Sequence, residues 1–473
     1  MSSRSNADGG SRASVAEPDR LSAFIMATTL LVSGFLIAGG ARDDILSLLI
    51  WRPLSALLLV FAVIFHGAEA WRRGKALILF AAVTMALVAA NLIPLPPAVW
   101  SALPGRESVV AVYRAAGMDL PWQPLSIAQV RTWNALFSLM GPVAMLLTTL
   151  VLSDRRHRQL LYICLGLGLV SGIIGMVQAI GPSDGPLYFY QITNNGTSVG
   201  LFANRNHQAA VLASLLPLLA AGLTLFKGKP DKLFFHRALT YATAALLVPL
   251  VLMTGSRAGI VLSLVGALCA WFWVRRPPEA SGRVVGIRSE HRSRLVGVAI
   301  AVGLLFAVIV ISVRTPALTR LMQTDPASEL RIAALPTVIA ATWRYFPIGS
   351  GIGTFVEAYQ IGEPDALISE RYFNHAHNEF LELPMTGGVP ALILLAWAVV
   401  LGLLALRALW RARKIDRSDP AYGRQALGRA GLSVILILVL ASATDYPLRV
   451  PSIAIYATLA AVWCSNAFKT VRK

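Results

Sequence analysis

Four short polar clusters in an otherwise apolar chain hold the side chains that could do chemistry. They are Asn204-Arg205-Asn206-His207, Thr254-Gly255-Ser256-Arg257-Ala258-Gly259, the glycine-rich stretch 346–355, and Asn374-His375-Ala376-His377-Asn378-Glu379. Arginine presents a planar, permanently charged fork that suits phosphate oxygens. Histidine titrates near neutral pH and is well suited to general base catalysis. The pattern therefore favours a phosphate-bearing substrate and a base that takes a proton from an attacking hydroxyl group.

The two arginines, Arg205 and Arg257, are each predicted to lie where an apolar helix begins. A charge at the membrane boundary is costly and usually marks a binding role, and a helix N-terminus favours an anion. Simpler roles remain open, because Arg205 could anchor to lipid headgroups and Gly255 and Gly259 could merely permit a tight turn. Two guanidinium groups on one side of the membrane would suit a pyrophosphate attached to a lipid.

The histidine cluster could be read as a metal site, a base or a helix cap. On a helix His375 and Glu379 share a face but His377 does not, so three ligands from this segment alone are strained. We therefore expect no metal, and no other cofactor is indicated. Capping of the following helix is the alternative to catalysis, and spacing alone does not decide which histidine would be the base. The glycine-rich stretch is expected to be an anion-binding turn or a sharp loop.

Membrane-spanning helices must position these clusters. The chain is 56% hydrophobic and only 14% charged, against about 25% charged in soluble domains. A transmembrane helix needs about 20 apolar residues. At that length per span, the sequence predicts an all-α integral membrane protein of about 12 transmembrane helices. They lie near 21–39, 47–68, 75–93, 132–152, 159–181, 207–226, 239–255, 257–274, 295–313, 386–406, 427–445 and 450–468. The three cysteines lie inside apolar runs, which makes a disulfide framework or a zinc site improbable.

The net charge of +18 is distributed over alternate loops, which orients the bundle. The basic loops follow the second, fourth, sixth, eighth and tenth predicted spans and share one side with both termini. By the positive-inside rule that side is cytoplasmic, so the chain is N-in and C-in, and nucleic acid is not an expected partner. We predict a disordered cytoplasmic tail at 1–20, spans 1–9 at 21–313, a large helical periplasmic loop domain at 314–385, and spans 10–12 with a short tail at 386–473. All four polar clusters then face the periplasm.

In their order along the chain, these clusters resemble the O-antigen ligase and polymerase superfamily of bacterial membrane glycosyltransferases. The resemblance is carried by Asn204-Arg205-Asn206-His207, Gly255-Ser256-Arg257-Ala258-Gly259, Arg331, the Pro347–Phe355 run, and His375-Ala376-His377-Asn378-Glu379 with its trailing Gly387-Gly388-Val389-Pro390. By motif it covers roughly the second half of the chain, and by topology the whole of it.

The resemblance implies a multi-pass protein of the bacterial inner membrane, with its active site on the periplasmic face. It would transfer an undecaprenyl-pyrophosphate-linked glycan, without a metal or a nucleotide sugar, to a lipid A–core or other glycan acceptor. His377 would be the catalytic base, Arg205 and Arg257 would hold the donor pyrophosphate, and Arg331 would be a further contact. His375 and Asn378 are additional candidates for substrate binding, and His375 stays open as the alternative base.

Competing functions differ mainly in the acceptor. A polysaccharide polymerase would use another lipid-linked repeat unit, and a protein oligosaccharyltransferase would use protein hydroxyl groups. A transporter is less well supported, because transporters usually place ionisable residues near mid-membrane. In this chain the polar clusters gather at one face instead.

Overall fold

The computed structural model describes residues 20–42, 44–274, 297, 326–368, 373–416, 418–419 and 421–468. Almost all of the predicted tail 1–20, the ninth predicted span at 295–313 and the first part of the predicted loop 314–385 lie outside the described residues. The described part is helical apart from loops and one two-stranded antiparallel pair. In that pair β1 (Pro94–Leu95) lies against β2 (Gln123–Pro124).

Apolar runs of the predicted length form the principal helices. In chain order the α-helices are α1 (Leu21–Ile37), α2 (Leu48–Ala90), α3 (Pro97–Trp100), α4 (Glu107–Ala115), α5 (Gln129–Ser138), α6 (Met140–Leu150), α7 (Asp154–Ile180), α8 (Arg205–Leu225), α9 (Pro230–Met253), α10 (Arg257–Leu268), α11 (Pro326–Tyr345), α12 (Phe355–Gln360), α13 (Glu379–Arg411), α14 (Tyr422–Ala441) and α15 (Pro451–Phe468). A π-helical turn, Cys269–Val274, extends α10, and single 3₁₀ turns occur at Asp365–Leu367, Ala412–Lys414 and Pro447–Arg449.

Nine helical segments in the described part of the chain are long and apolar enough to cross a membrane. The prediction of an all-helical membrane protein is confirmed, while the count of 12 spans stays a prediction. The first predicted span forms a helix of only 17 residues. The second and third predicted spans lie in the 43 residues of α2, where Gly74 leaves helical geometry and divides the helix in two.

Helix α8 lies at the centre of the bundle. Of its apolar 18-residue stretch, 78% is buried, and it packs against α7, α9, α10 and α14. Small residues allow the closest of these contacts, since a Cβ added at Gly259 of α10 would lie 2.5 Å from the Cβ of Ala209. Helix α13 is the opposite case, because only 11% of its apolar stretch is buried. The bundle is therefore tight around α8 and open beside α13.

A second, smaller core joins α11 and α12 to the start of α13. It contains Val338, Tyr345, Phe355, Tyr359 and Met385, all nearly inaccessible to solvent. Because Met385 belongs to α13, this core fixes the described part of the predicted loop directly to the helix bundle.

The glycine-rich stretch forms the joint between these parts. Gly349, Gly351 and Gly353 all have positive φ angles, a region open chiefly to glycine. The backbone N–H groups of residues 349–352 donate to Tyr345 O, Met385 O, Thr386 O and Asn91 Oδ1, at 2.8 to 3.1 Å. These N–H groups are therefore used inside the protein, which favours the sharp loop over the anion-binding turn.

Candidate active site

The predicted catalytic histidine pairs with a carboxylate that lies 68 residues away in sequence. His377 Nδ1 is 3.1 Å from Oδ1 of Asp445, which follows α14 and is 2% exposed. The His377 side chain is 13% exposed, and its Nε2 has no hydrogen-bond partner among the described residues. A histidine with Nδ1–H on a carboxylate presents a free lone pair on Nε2, which is the arrangement that a general base requires.

Four donors converge on the Asp445 carboxylate. Oδ1 accepts from His377 Nδ1 and from the backbone N–H of Tyr446 at 3.0 Å. Oδ2 accepts from the side-chain amides of Asn204 at 3.1 Å and Asn206 at 2.8 Å. A buried carboxylate with both oxygens satisfied is held in a single orientation. The polar cluster before α8 is thus tied to the loop between α14 and α15.

The pKa values of this pair agree with a neutral base beside an anion. Burial lowers the pKa of His377 below its usual value, although Asp445 opposes the shift. Burial alone would raise the pKa of Asp445, but the facing His207 and His377 outweigh it and hold this pKa well below its usual range. At neutral pH Asp445 is therefore ionised, and His377 is neutral and able to accept a proton.

The ring of Tyr446 contacts three histidine rings. Its centroid lies 4.2 Å from that of His375, 4.9 Å from that of His377 and 5.1 Å from that of His207. Its hydroxyl accepts a hydrogen bond from the Asn374 amide at 3.1 Å. Burial, with Asp445 close by, raises the pKa of this phenol, so it stays protonated. The imidazoles are thus packed against a rigid, neutral ring.

His375, the alternative base, belongs to a different charge network. Its Nδ1 is 2.9 Å from Glu382 Oε1, and the other oxygen of Glu382 accepts from the backbone N–H of Ala376. Arg449 lies 3.1 Å from the same carboxylate and also forms a two-point ion pair with Glu379. Because Arg449 offsets part of the charge of Glu382, that carboxylate supports a developing imidazolium less than Asp445 does.

Arg205 and Arg257 are the first residues of two packed helices, α8 and α10. The contact of Gly259 with Ala209 lies two residues after Arg257 and four after Arg205, so both arginines lie at the same end of the pair. Arg205 is half-buried and Arg257 is exposed. Asn204 and Ser256 cap the two helices through their side chains. Because Asn204 also binds Asp445, this end of the bundle is the end that carries His377, and we refer to it as the site end.

The remaining predicted residues lie at the same place with different contacts. Arg331 of α11 donates to the carbonyl oxygen of Thr444 over 3.4 Å, next to Asp445. Its charge is among the influences that lower the pKa of His377. The side-chain oxygen of Asn378 accepts from the backbone N–H of Phe380 at 3.0 Å and caps α13. The capping alternative considered for this cluster therefore describes Asn378, whereas His375 and His377 point to other partners.

Sequence reasoning missed Asp445, Tyr446, Glu382 and Arg449 as parts of the site. The signal was an Asp-Tyr pair at the end of the eleventh predicted span and an arginine among the four residues before the twelfth. Such residues also occur as ordinary interfacial groups at helix ends. The residue His377 has a further feature that the sequence did not reveal, a φ of +49°, which is uncommon outside glycine but more accessible to histidine and asparagine than to most residues.

Together, the apolar helices and the polar site at one end define a multi-pass helical membrane protein. A model of the family described as O-Antigen ligase matches residues 242–396 of this chain. The match confirms the predicted resemblance to the O-antigen ligase superfamily and supports a ligase- or polymerase-type function in general. It includes Arg257, Arg331, His375 and His377, whereas Arg205 lies outside it. No curated protein gives a significant match to the chain.

Proposed function

We propose that this protein transfers a glycan from undecaprenyl pyrophosphate to an acceptor hydroxyl at the periplasmic face of the bacterial inner membrane. The observation that carries the proposal is the pairing of His377 with the buried Asp445. It supplies a neutral, oriented base at the end of the bundle where Arg205 and Arg257 begin their helices. The family match supports the reaction class, and the geometry supports the roles of individual residues.

The proposed reaction is a single displacement at the anomeric carbon. Nε2 of His377 takes the proton of the acceptor hydroxyl while its oxygen forms the new glycosidic bond. The bond from the anomeric carbon to the phosphate oxygen breaks, and undecaprenyl pyrophosphate leaves with the bonding electron pair. Asp445 stabilises the imidazolium that forms, and the proton then passes to solvent. A positioned general base typically contributes about 10²- to 10⁴-fold to such a step.

Arg205 and Arg257 are proposed to bind the pyrophosphate before and after this step. The N-termini of α8 and α10 add partial positive charge at the same place. Arg331 would limit the negative charge that gathers near Asp445 and the substrate. The chain's own cations and the helix N-termini then provide the stabilisation of the leaving group, so we propose that transfer needs no metal ion.

The acceptor that we place first is lipid A–core, which makes the protein a ligase. A polymerase acting on lipid-linked repeat units uses the same donor and leaving group, and so does a protein oligosaccharyltransferase. The three activities differ in the product that a cell lacks when the protein is removed.

Complementation of a deletion strain tests both the reaction and the base. The strain carries wild type or His377→Asn, since asparagine tolerates the positive φ at this position, and His236→Asn of α9 serves as a control away from the site. Surface glycans are separated on gels, and membrane abundance is measured in parallel. We expect the deletion strain to lose long-chain lipopolysaccharide and to accumulate lipid-linked polymer. Wild type and His236→Asn should restore long-chain lipopolysaccharide, and His377→Asn should not.

Two other results would change the proposal. Disappearance of the polymer, with single lipid-linked repeats remaining, would identify a polymerase. Full complementation by His377→Asn at normal abundance would show that His377 is not the base.

A further inference from the structure

The polar cluster before α8 contributes more to the site than its arginine. Asn204 and Asn206 donate their side-chain amides to Oδ2 of Asp445, at 3.1 and 2.8 Å. His207, the next residue, faces the other oxygen, and its Nε2 lies 3.6 Å from Oδ1. Three of the four residues of this cluster therefore meet the carboxylate that orients the base, and the proposed reaction assigns no part to His207.

The contact of His207 with Asp445 is one of charge rather than of hydrogen bonding. Oδ1 of Asp445 already accepts from His377 and from the backbone N–H of Tyr446. His207 is 2% exposed, and its Nε2 is buried with no hydrogen-bond partner among the described residues. A buried polar atom without a partner is costly, but a proton on this nitrogen would face a negative charge at close range. The position is therefore one that an additional proton can occupy.

Asp445 is thus shared by two imidazoles. His377 Nδ1 lies 3.1 Å from Oδ1 and His207 Nε2 lies 3.6 Å from the same oxygen, so the two nitrogens are at most about 6.7 Å apart. One carboxylate neutralises one imidazolium, and a second proton would be repelled by the first. Burial raises the pKa of Asp445, and of the two histidines that lower it His207 has the larger effect.

The other groups that face His377 differ in whether their charge can change. Burial lowers the pKa of His377, and Arg331 and His375 lower it further. The phenol of Tyr446 stays protonated. Helices α7, α9 and α14 have their charged residues in their first halves, away from the site end. The remaining charged groups at the site end are Arg205, Arg257, Glu379, Glu382 and Arg449. His207 and His375 are therefore the neighbours whose charge can change near neutral pH, and only His207 shares the carboxylate of His377.

We propose that His207 is a positioning residue that takes up a proton as the medium becomes acid and thereby keeps His377 free to accept one from the acceptor hydroxyl. The inference rests on the proposed function, in which His377 is the base. A proton on His207 uses part of the negative charge of Asp445, so His377 binds its own proton less readily and stays neutral at lower pH. Two unit charges about 6.7 Å apart displace a titration by roughly 2 pH units at an effective dielectric constant of about 20, and a partly protonated His207 has a smaller effect.

The titration of His377 can be measured without turnover. Diethyl pyrocarbonate acylates neutral imidazole, so the pH dependence of its reaction with His377 gives the midpoint. The reaction is followed by peptide mass spectrometry on the purified full-length protein in detergent. His207→Gln replaces the imidazole with an uncharged amide, and His207→Lys replaces it with a cation. His236→Asn is the control, and thermal unfolding shows which variants are folded.

We expect His207→Gln to raise the midpoint of His377 by about 1 to 2 pH units. His207→Lys should lower this midpoint, and His236→Asn should leave it unchanged. The rate of transfer should follow, because a base that is protonated at higher pH is lost earlier in acid. Below both midpoints, His207→Gln should be slower than wild type by about tenfold for each pH unit of the shift.

Two results would overturn the inference. An unchanged midpoint in folded His207→Gln would show that the two histidines do not share the charge of Asp445. A shift in the same direction in both His207 variants would show that His207 acts only through its packing against Tyr446. Failure of the proposed function is a different result, because His377→Asn would then complement the deletion strain whatever the midpoint of His377.

Discussion

Replacement of Asp445 by asparagine tests the catalytic pair with almost no change in shape. Each oxygen of Asp445 accepts two hydrogen bonds, from His377 and the Tyr446 N–H on one side and from Asn204 and Asn206 on the other. An asparagine can present an oxygen to only one of these pairs, and its NH₂ group faces the donors of the other.

The magnitude follows from that geometry. If the NH₂ group faces His377, the imidazole can accept from it and only the Tyr446 N–H loses its acceptor; if the NH₂ group faces Asn204 and Asn206, both of these amides lose theirs. At about 1–3 kcal/mol per donor, the free energy of unfolding should fall by about 1–6 kcal/mol. If the NH₂ group faces His377, the imidazole must carry its proton on Nε2 and cannot accept one there. If the oxygen faces His377, the negative charge that stabilises the imidazolium is still lost. We therefore expect kcat to fall by about 10²- to 10⁴-fold.

The assay is transfer by the purified protein from undecaprenyl-pyrophosphate-linked glycan to acceptor. The KM for the donor should change little, because Asp445 is assigned no contact with it, and Asp365→Asn, an exposed site in the described part of the outer segment, is the control. Because the pKa of Asp445 is lowered in the folded protein, the stability that its charge contributes is present at neutral pH and is lost as pH falls through that pKa. The difference between wild type and Asp445→Asn in the free energy of unfolding should therefore become smaller at acid pH.

A folded Asp445→Asn protein with more than half of the wild-type kcat would refute the reasoning. It would show that the carboxylate neither orients nor stabilises the base, and that the pair with His377 is structural only.

Further perturbations probe the other parts of the site. Because the pKa of His377 is lowered, the rate of transfer should rise with pH through a midpoint below about 6.5 and be level at neutral pH; a midpoint above 7 would contradict a buried, neutral base. Arg205→Gln and Arg257→Gln should each raise the KM for the donor by about 10- to 100-fold, which corresponds to the loss of a charge-assisted hydrogen bond. Lysine at either position should restore part of the lost donor affinity. If all variants had the same kinetics as wild type, neither arginine would belong to the donor site. Gly351→Ala should lower the melting temperature more than Gly117→Ala, since both have positive φ but only at Gly351 would a Cβ meet backbone, at 2.6 Å; equal shifts would show that the joint yields easily. Treatment with EDTA should leave the rate unchanged, and a loss restored by a divalent cation would show that a metal takes part.

The location of the membrane helices could be predicted from sequence because hydropathy reports directly on the length of an apolar run. The starts of the two helices that begin with arginine could also be predicted, because each is preceded by a typical N-cap residue, Asn204 or Ser256. Hydropathy does not report on whether successive spans are joined by a loop or by a single non-helical residue, so the division of α2 at Gly74 was not foreseen.

The carboxylates of the site could not be predicted in the same way. Asp445 meets Asn204 across 241 residues of sequence, and nothing near either residue specifies that contact. The role of Arg449 likewise depends on two glutamates about 70 residues earlier. A single sequence shows which side chains could act, whereas the packing of α8, α13 and α14 decides which of them meet. The glycine-rich stretch shows the reverse, since its pattern allowed an anion site and the surrounding acceptors used its N–H groups.

Helix α11 carries an exposed apolar stripe beside the site. Ile332 is 73% exposed and Trp343 is 72% exposed, and Leu335 and Ile339 lie between them on the same face. Such a face is suited to lie in the surface of the bilayer. With lipid-linked substrates the effective concentration would then be their mole fraction in the membrane plane, because encounters occur by lateral diffusion. Diluting a fixed amount of donor with inert lipid or detergent should slow transfer even when its bulk concentration is held constant.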